Sequence, residues 1–364
     1  MRDLRTPRIS PAQMICLLVL SRMFIVLIFI PDANGSSQGS ASLLAIVLGF
    51  VLTAAAMVPA WLLLKKHPGM DLQILTMQLS PKLGRVSAVV LYLVCLVVSA
   101  ETAAQFTMFL TSAVYPRASV LWVGLIFCGA VLYLVLLGLE AVTRTAAIML
   151  AATILSSLLI SLGLWGSMDT LNLISPLYDG WGKVLYSSTR YFTQNIELIA
   201  FVLLLSNLNT PKLQRTFWGY HTMTSVILLA VSYAAITVLG SYGETQNFPV
   251  YTLFVLSGSN VFYRFDYVLL VLWVATAMIR AALYLILACR TLGTLGPRLQ
   301  SRWVVGISAA VVTVTAITAV RNIQLFGGLY HFLADGVPVY FLLLFWPVLL
   351  LLLAYNRQKK EERR

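Results

Sequence analysis

The chain has 364 residues, 60% of them hydrophobic and only 10% charged, with a net charge of +12. A soluble protein of this length cannot hide that much apolar surface, whereas a helical membrane protein has no need to, so the composition excludes an ordinary soluble fold. The basic residues sit in short loops and tails between apolar runs rather than in one patch, so the charge reflects membrane topology and no nucleic-acid partner is expected.

Ten runs are long enough to cross a bilayer: 9–30, 41–64, 86–113, 119–138, 145–167, 187–208, 216–240, 264–289, 303–320 and 337–355. The first lies between MRDLRTPR and NGSSQGSA, which imitates a signal peptide. Its length and the spans that follow predict an uncleaved first helix. With the N-terminus in the cytoplasm, 18 of the 25 Lys and Arg residues fall on the inner side. Five fall outside (Arg117, Lys183, Arg190, Arg264 and Arg321), and Arg22 and Arg280 lie within spans. That bias puts both termini in the cytoplasm. The expected fold is all-α and integral to the membrane, a single transmembrane domain over 1–364 that ends in a basic cytoplasmic tail at 356–364.

Three connections are long: 65–85 inside, and 168–186 and 241–263 outside. The first and last carry Pro-x-x-x-Leu-x-x-Leu, as Pro68, Leu72, Leu75 and as Pro249, Leu253, Leu256. A proline in the first turn with leucines on one face predicts a short interfacial helix in each. The two prolines are 181 positions apart (249 − 68) in a chain of 364, on opposite sides of the membrane. This spacing suits a five-plus-five inverted repeat, about 9–167 and 187–355.

Four ionisable residues lie near mid-span: Arg22 in span one, Glu101 in span three, Glu197 in span six and Arg280 in span eight. Each costs roughly 2.5–3.5 kcal/mol at the centre of an isolated helix, so each must face a partner, water or the bundle interior. Under the repeat, span one corresponds to span six and span three to span eight, and each pair carries opposite charges. Inverted-repeat transporters bind their ligands at the midplane between repeats, and these four positions converge there. Buried ion pairs that only fix packing are the competing reading. The polar run Thr193, Gln194, Asn195, Glu197 either loosens span six, so that backbone groups meet a ligand, or forms one polar face of an intact helix. No Gly or Pro decides between the two. Ser21 adds a hydroxyl beside Arg22. Tyr191, Phe192, Trp273 and Tyr284 are available to wall a pocket or to pack. Cys16, Cys95, Cys128 and Cys289 all sit in apolar segments, and His67, His221 and His331 are far apart, so no metal site, disulfide framework or cofactor is expected. No nucleotide-binding or hydrolase motif occurs, and an enzyme is not expected.

In order along the chain stand GLEAVTR (138–144), NLISPLYDGWGKVL (172–185), Glu197, NTPK (209–212), FPVYTLF (248–254), RFD (264–266) and VLWVATAMIRAALYL (271–285). This pattern resembles the B subunit of spore nutrient germinant receptors, the endospore germination permease family within the amino acid–polyamine–organocation superfamily. The resemblance covers nearly the whole chain. It implies the leucine-transporter-type fold, in which spans one, three, six and eight surround the ligand. It also implies a nutrient sensor that signals to A-type and C-type receptor subunits from the spore inner membrane. On that basis Ser21, Arg22, Glu101, Thr193, Gln194, Asn195, Glu197 and Arg280 are candidate ligand contacts. The acids would take an amine or cation, and the arginines would take a carboxylate or act as counter-ions. Pro249 and Tyr251 are candidate gate residues. Ser21-Arg22-Met23 departs from the small residue, often glycine, that the family carries in span one. Two other functions remain open: a proton- or sodium-coupled amino acid or amine transporter, and a structural receptor subunit that binds nothing.

Overall fold

The structure, a computed structural model, describes residues 8–28, 40–67, 69–173, 177, 180–209, 212–246, 248–257, 266–334 and 336–361. The helices in chain order are α1 (Pro11–Ile28), α2 (Ser40–Ala56), α3 (Val58–Lys66), α4 (Leu72–Leu79), α5 (Pro81–Phe109), α6 (Val120–Leu137), α7 (Leu139–Leu164) and α8 (Trp181–Thr193). They continue with α9 (Glu197–Leu204), α10 (Leu213–Leu239), α11 (Pro249–Ser257), α12 (Asp266–Gly293), α13 (Arg302–Arg321), α14 (Ile323–Ala334), α15 (Val337–Val339) and α16 (Trp346–Glu361). A π-helical stretch at Tyr340–Phe345 joins the last two.

Among the described residues, eight helical segments are long and apolar enough to span a membrane. Expected spans one and six are not among them, for different reasons. The first is a shorter apolar helix. The sixth is broken into α8 and α9 at Gln194–Ile196. The last segment, Ile323–Asn356, includes α14, a helix where the sequence predicted an external loop.

Burial sorts the helices. Every residue of α9 is buried, and α12 packs along α5, α1, α6 and α7 at the centre. At the periphery α6 and α7 keep large apolar side chains exposed, Ile126 at 71% and Leu162 at 70%. Helices apolar on all sides are what lipid contact requires, since a lipid-facing stripe gains nothing from polarity.

Local signals set the element ends. Ser80 caps α5 by accepting from the Leu83 N–H at 3.5 Å, with Pro81 in the first turn. Gly138, at φ +90°, turns the chain directly from α6 into α7, a backbone conformation that side-chain-bearing residues avoid. The helix expected after Pro68 begins at Leu72 instead, because Asp71 caps it by accepting from the Ile74 N–H at 2.7 Å. Pro68 itself lies outside the described residues. Leu72 and Leu75 are buried as expected. The second proline-led helix, α11, does begin at Pro249, with Leu253 buried, but Leu256 is exposed.

Candidate functional site

The break between α8 and α9 organises the interior. The Asn195 N–H donates to the Phe192 carbonyl at 3.0 Å, and the Ile199 N–H to the Ile196 carbonyl at 3.0 Å. These are tighter, 3₁₀-type bonds in place of the α-helical ladder. No Gly or Pro causes the break; side chains hold it. The Tyr220 hydroxyl donates to Asn195 Oδ1 at 2.5 Å, and Arg22 donates to the Gln194 carbonyl. Gly336, at φ +77°, lies so close that a Cβ built there would sit 2.1 Å from Thr193 Cβ. Of the two expectations for this run, the loosened helix is the one observed.

Glu197 stands in the first turn of α9, where the helix dipole favours a carboxylate. Its Oε1 accepts from Arg280 and from the Ser21 hydroxyl, the latter at 3.1 Å, and its Oε2 lies 3.9 Å from Arg22 Nη1. Arg280 also donates to the Ser21 carbonyl at 3.0 Å and, through Nε, to Thr102 Oγ1 at 3.1 Å. Tyr191 lies beneath the Arg22 guanidinium and Tyr284 beneath that of Arg280, 5.9 and 5.3 Å from ring centroid to Cζ. Both arginines and Glu197 are almost completely buried. One carboxylate thus serves two guanidiniums.

Glu101 is separate. It accepts from Gln105, one turn along α5, and forms no ion pair within 4.0 Å among the described residues. Glu101, Gln105, Gln194 and Arg280 line a cavity of about 30 Å³ with Ile25, Ile196, Tyr330 and Leu333. That room suits a water but not a nutrient. Several buried polar atoms on or next to its lining residues have no hydrogen-bond partner among the described residues: Arg22 Nε, Gln105 Oε1, Gln194 Oε1, Asn195 Nδ2, Glu197 Oε2 and the Tyr284 hydroxyl.

Two helices, α11 and α14, pack at one end of this interior. On α11, Tyr251 packs edge-on against Phe109 at 5.4 Å, and Phe109 in turn lies 3.9 Å from Trp273. Pro249 is buried at the start of that helix. Tyr330 and Leu333 of α14 line the cavity. At the opposite end, Arg290 donates to Asn207 Oδ1, to Ser206 Oγ at 2.5 Å and to Asp71 Oδ2 at 3.1 Å. The Ile9 N–H donates to the Asn207 carbonyl at 2.9 Å, and the Asn209 N–H returns a bond to Ile9 at 3.0 Å. This cluster ties the start of α1, the cap of α4, the end of α9 and α12 together. Burial pushes the Asp71 carboxyl up, against the opposing pull of Arg290, the Ile74 N–H and the Ser206 hydroxyl.

Residues 8–323 match the spore germination protein family, the spore permeases. The chain belongs to that family. No curated protein matches it. Among solved structures it is similar to a Na⁺-coupled sialic acid symporter in a substrate-bound, outward-open state. The identity is 12% and the TM-score 0.63, with 89% of this chain and 79% of that one covered. The family and the shared transporter fold make this spore permease a permease-like integral membrane protein.

Ser21, Arg22, Glu197, Arg280 and the Gln194 carbonyl therefore meet at one place, with Glu101 and Asn195 beside them. Thr193 is turned toward Gly336, and its hydroxyl donates to the Arg190 carbonyl at 3.1 Å. Phe192 packs on Tyr340 rather than on the charges. Sequence reasoning missed Gln105, Thr102, Tyr220 and α14. Gln105 was accessible through its i, i+4 spacing from Glu101. Thr102 and Tyr220 carry no local signal, since only the packing of distant helices brings them in.

Proposed function

We propose that this spore permease is the nutrient-sensing B-type subunit of a germinant receptor, and that it binds a small zwitterion such as an amino acid beside the α8–α9 break. The supporting observation is the set of buried, unpartnered polar atoms there, which includes both signs of partner. Gln105 Oε1 and Gln194 Oε1 suit an ammonium group, as does the Glu101 carboxylate; Arg22 Nε and Asn195 Nδ2 suit a carboxylate. Leaving one such atom unsatisfied costs about 1–3 kcal/mol, so a ligand that satisfies several gains affinity from each. The cavity is closed in this form, and a nutrient enters when α11 or α14 swings outward. Binding then shifts the balance between conformers by its difference in affinity for them, and A-type and C-type subunits read that shift.

In this reading α1 and the broken α8–α9 join the eight long segments to make ten spans, arranged as repeats over about 9–167 and 187–355 within one transmembrane domain, 1–364. Both termini are cytoplasmic, the tail at 356–364 anchors the inner face, and the complex sits in the spore inner membrane. One observation favours a second reading, a proton-coupled transporter: Glu101 is the intramembrane carboxylate without an ion pair among the described residues, which suits a proton carrier.

The test is ligand-induced thermal stabilisation of the purified protein in nanodiscs across a panel of amino acids and sugars, with amino acid flux measured in proteoliposomes. A stabilising amino acid whose effect disappears in Glu101→Gln, with no flux, supports sensing. Flux that Glu101→Gln abolishes supports transport. No stabilisation by any nutrient, in the chain alone or with its receptor partners, supports the non-binding structural subunit.

A further inference from the structure

A cavity of about 580 Å³ opens far from the charge cluster, at the end of the molecule that carries Ile9 and Arg290. Trp61 and Lys65 of α3, Lys212, and Arg215 and Trp218 of α10 line it. The Lys65 ammonium lies 5.2 Å from the centroid of the Trp61 ring. None of Lys65, Lys212 and Arg215 pairs with a carboxylate among the described residues, and no acidic side chain lines the cavity. A second, apolar groove of about 170 Å³ adjoins it, sharing Trp61, Leu64, Leu213 and Trp218 and continuing to Met57, Phe201 and Phe217. A three-fold cationic rim thus opens into an apolar slot between α3 and α10.

We propose that this pocket is a binding site for one anionic phospholipid of the cytoplasmic leaflet. Its phosphate would sit among Lys65, Lys212 and Arg215, with an acyl chain along Phe217 and Met57. A basic pocket between helices at the headgroup level is the chemistry that retains acidic lipids, and the two tryptophans suit the interface. A basic residue placed only as a topology anchor needs no adjoining apolar slot. An acidic protein segment would match the rim but not the slot. The leaflet assignment rests on the orientation read from charge bias. The site itself does not depend on the nutrient reading.

The test is native mass spectrometry of the detergent-purified full chain, which counts retained lipid after exposure to phosphatidylglycerol or phosphatidylcholine. The expected result is one retained phosphatidylglycerol per chain, with phosphatidylcholine lost at the same activation energy. Lys65→Ala/Lys212→Ala/Arg215→Ala is expected to weaken retention roughly 100-fold, since each basic residue adds about 1 kcal/mol of attraction. The matched control Lys82→Ala/Arg85→Ala/Arg298→Ala keeps the lipid. Equal retention of the two lipids by the wild type overturns the proposal without any variant. So does undiminished retention in a monodisperse triple variant. Displacement by inorganic phosphate alone means a free-anion site and also overturns it, as does loss of partner-subunit capture by the triple variant with lipid retention intact.

Discussion

Glu197 compensates two buried guanidiniums, and Glu101 compensates none within 4.0 Å among the described residues, so the two acids have different consequences when changed. Replacing Glu197 by Ala leaves Arg22 and Arg280 with no carboxylate within ion-pair distance among the described residues. Breaking a buried pair in this way destabilises by about 3–5 kcal/mol. The expected outcome is a variant that accumulates poorly, read as membrane protein level by blot and as a lowered Tm in detergent. Glu101→Gln keeps its shape and its bond to Gln105, and is expected to accumulate normally with a Tm within a few degrees of wild type. The sequence identified both acids from their cost in lipid. It could not assign their partners, because the 176-residue separation between Ser21 and Glu197 is bridged only by the fold.

The break in span six is the element on which the site depends, and its cause is tertiary. Asn195 is held by Tyr220 of α10, and Thr193 by the close approach of Gly336. Polar residues in mid-span were visible in the sequence, but the choice between a polar face and an opened helix was not, since it rests on Tyr220 of α10, Arg22 of α1 and the turn at Gly336. Gly336→Ala must clash with Thr193 and occupy a left-handed backbone conformation. It is expected to lower stability by about 1–3 kcal/mol, measured as Tm, with partial recovery in Gly336→Ala/Thr193→Gly, which removes the Cβ at position 193. The short helix α4 was legible as a leucine-faced segment, but its true start was set by the Asp71 cap rather than by a proline. α14 went unseen because IQLFGGLYHFLA reads as a connection once the next run is taken as the span.

At the scale of the whole molecule, α14 lines the cavity with Tyr330 and Leu333, α11 packs beside it on Phe109, and Arg290 ties α12 to the cap of α4 and the end of α9 at the opposite end. Burial of the Asp71–Arg290 pair opposes its own attraction, so the pair adds little net stability. Arg290→Ala is expected to loosen this end of the bundle, and the neighbouring half-buried Cys289 should then react several-fold faster with a membrane-permeant maleimide. Unchanged labelling contradicts that role. The membrane class was legible from composition, and the meeting of Arg22, Glu197 and Arg280 from the cost of charge in mid-span. The packing at either end was not, because it joins residues far apart in the chain. The most direct test of the account is the nutrient dose–response of germination in spores carrying Glu101→Gln, with the protein level checked by blot. The account predicts normal accumulation and a nutrient requirement raised at least tenfold, or no response. A normal dose–response at normal protein level contradicts the assignment of this cavity as the nutrient site.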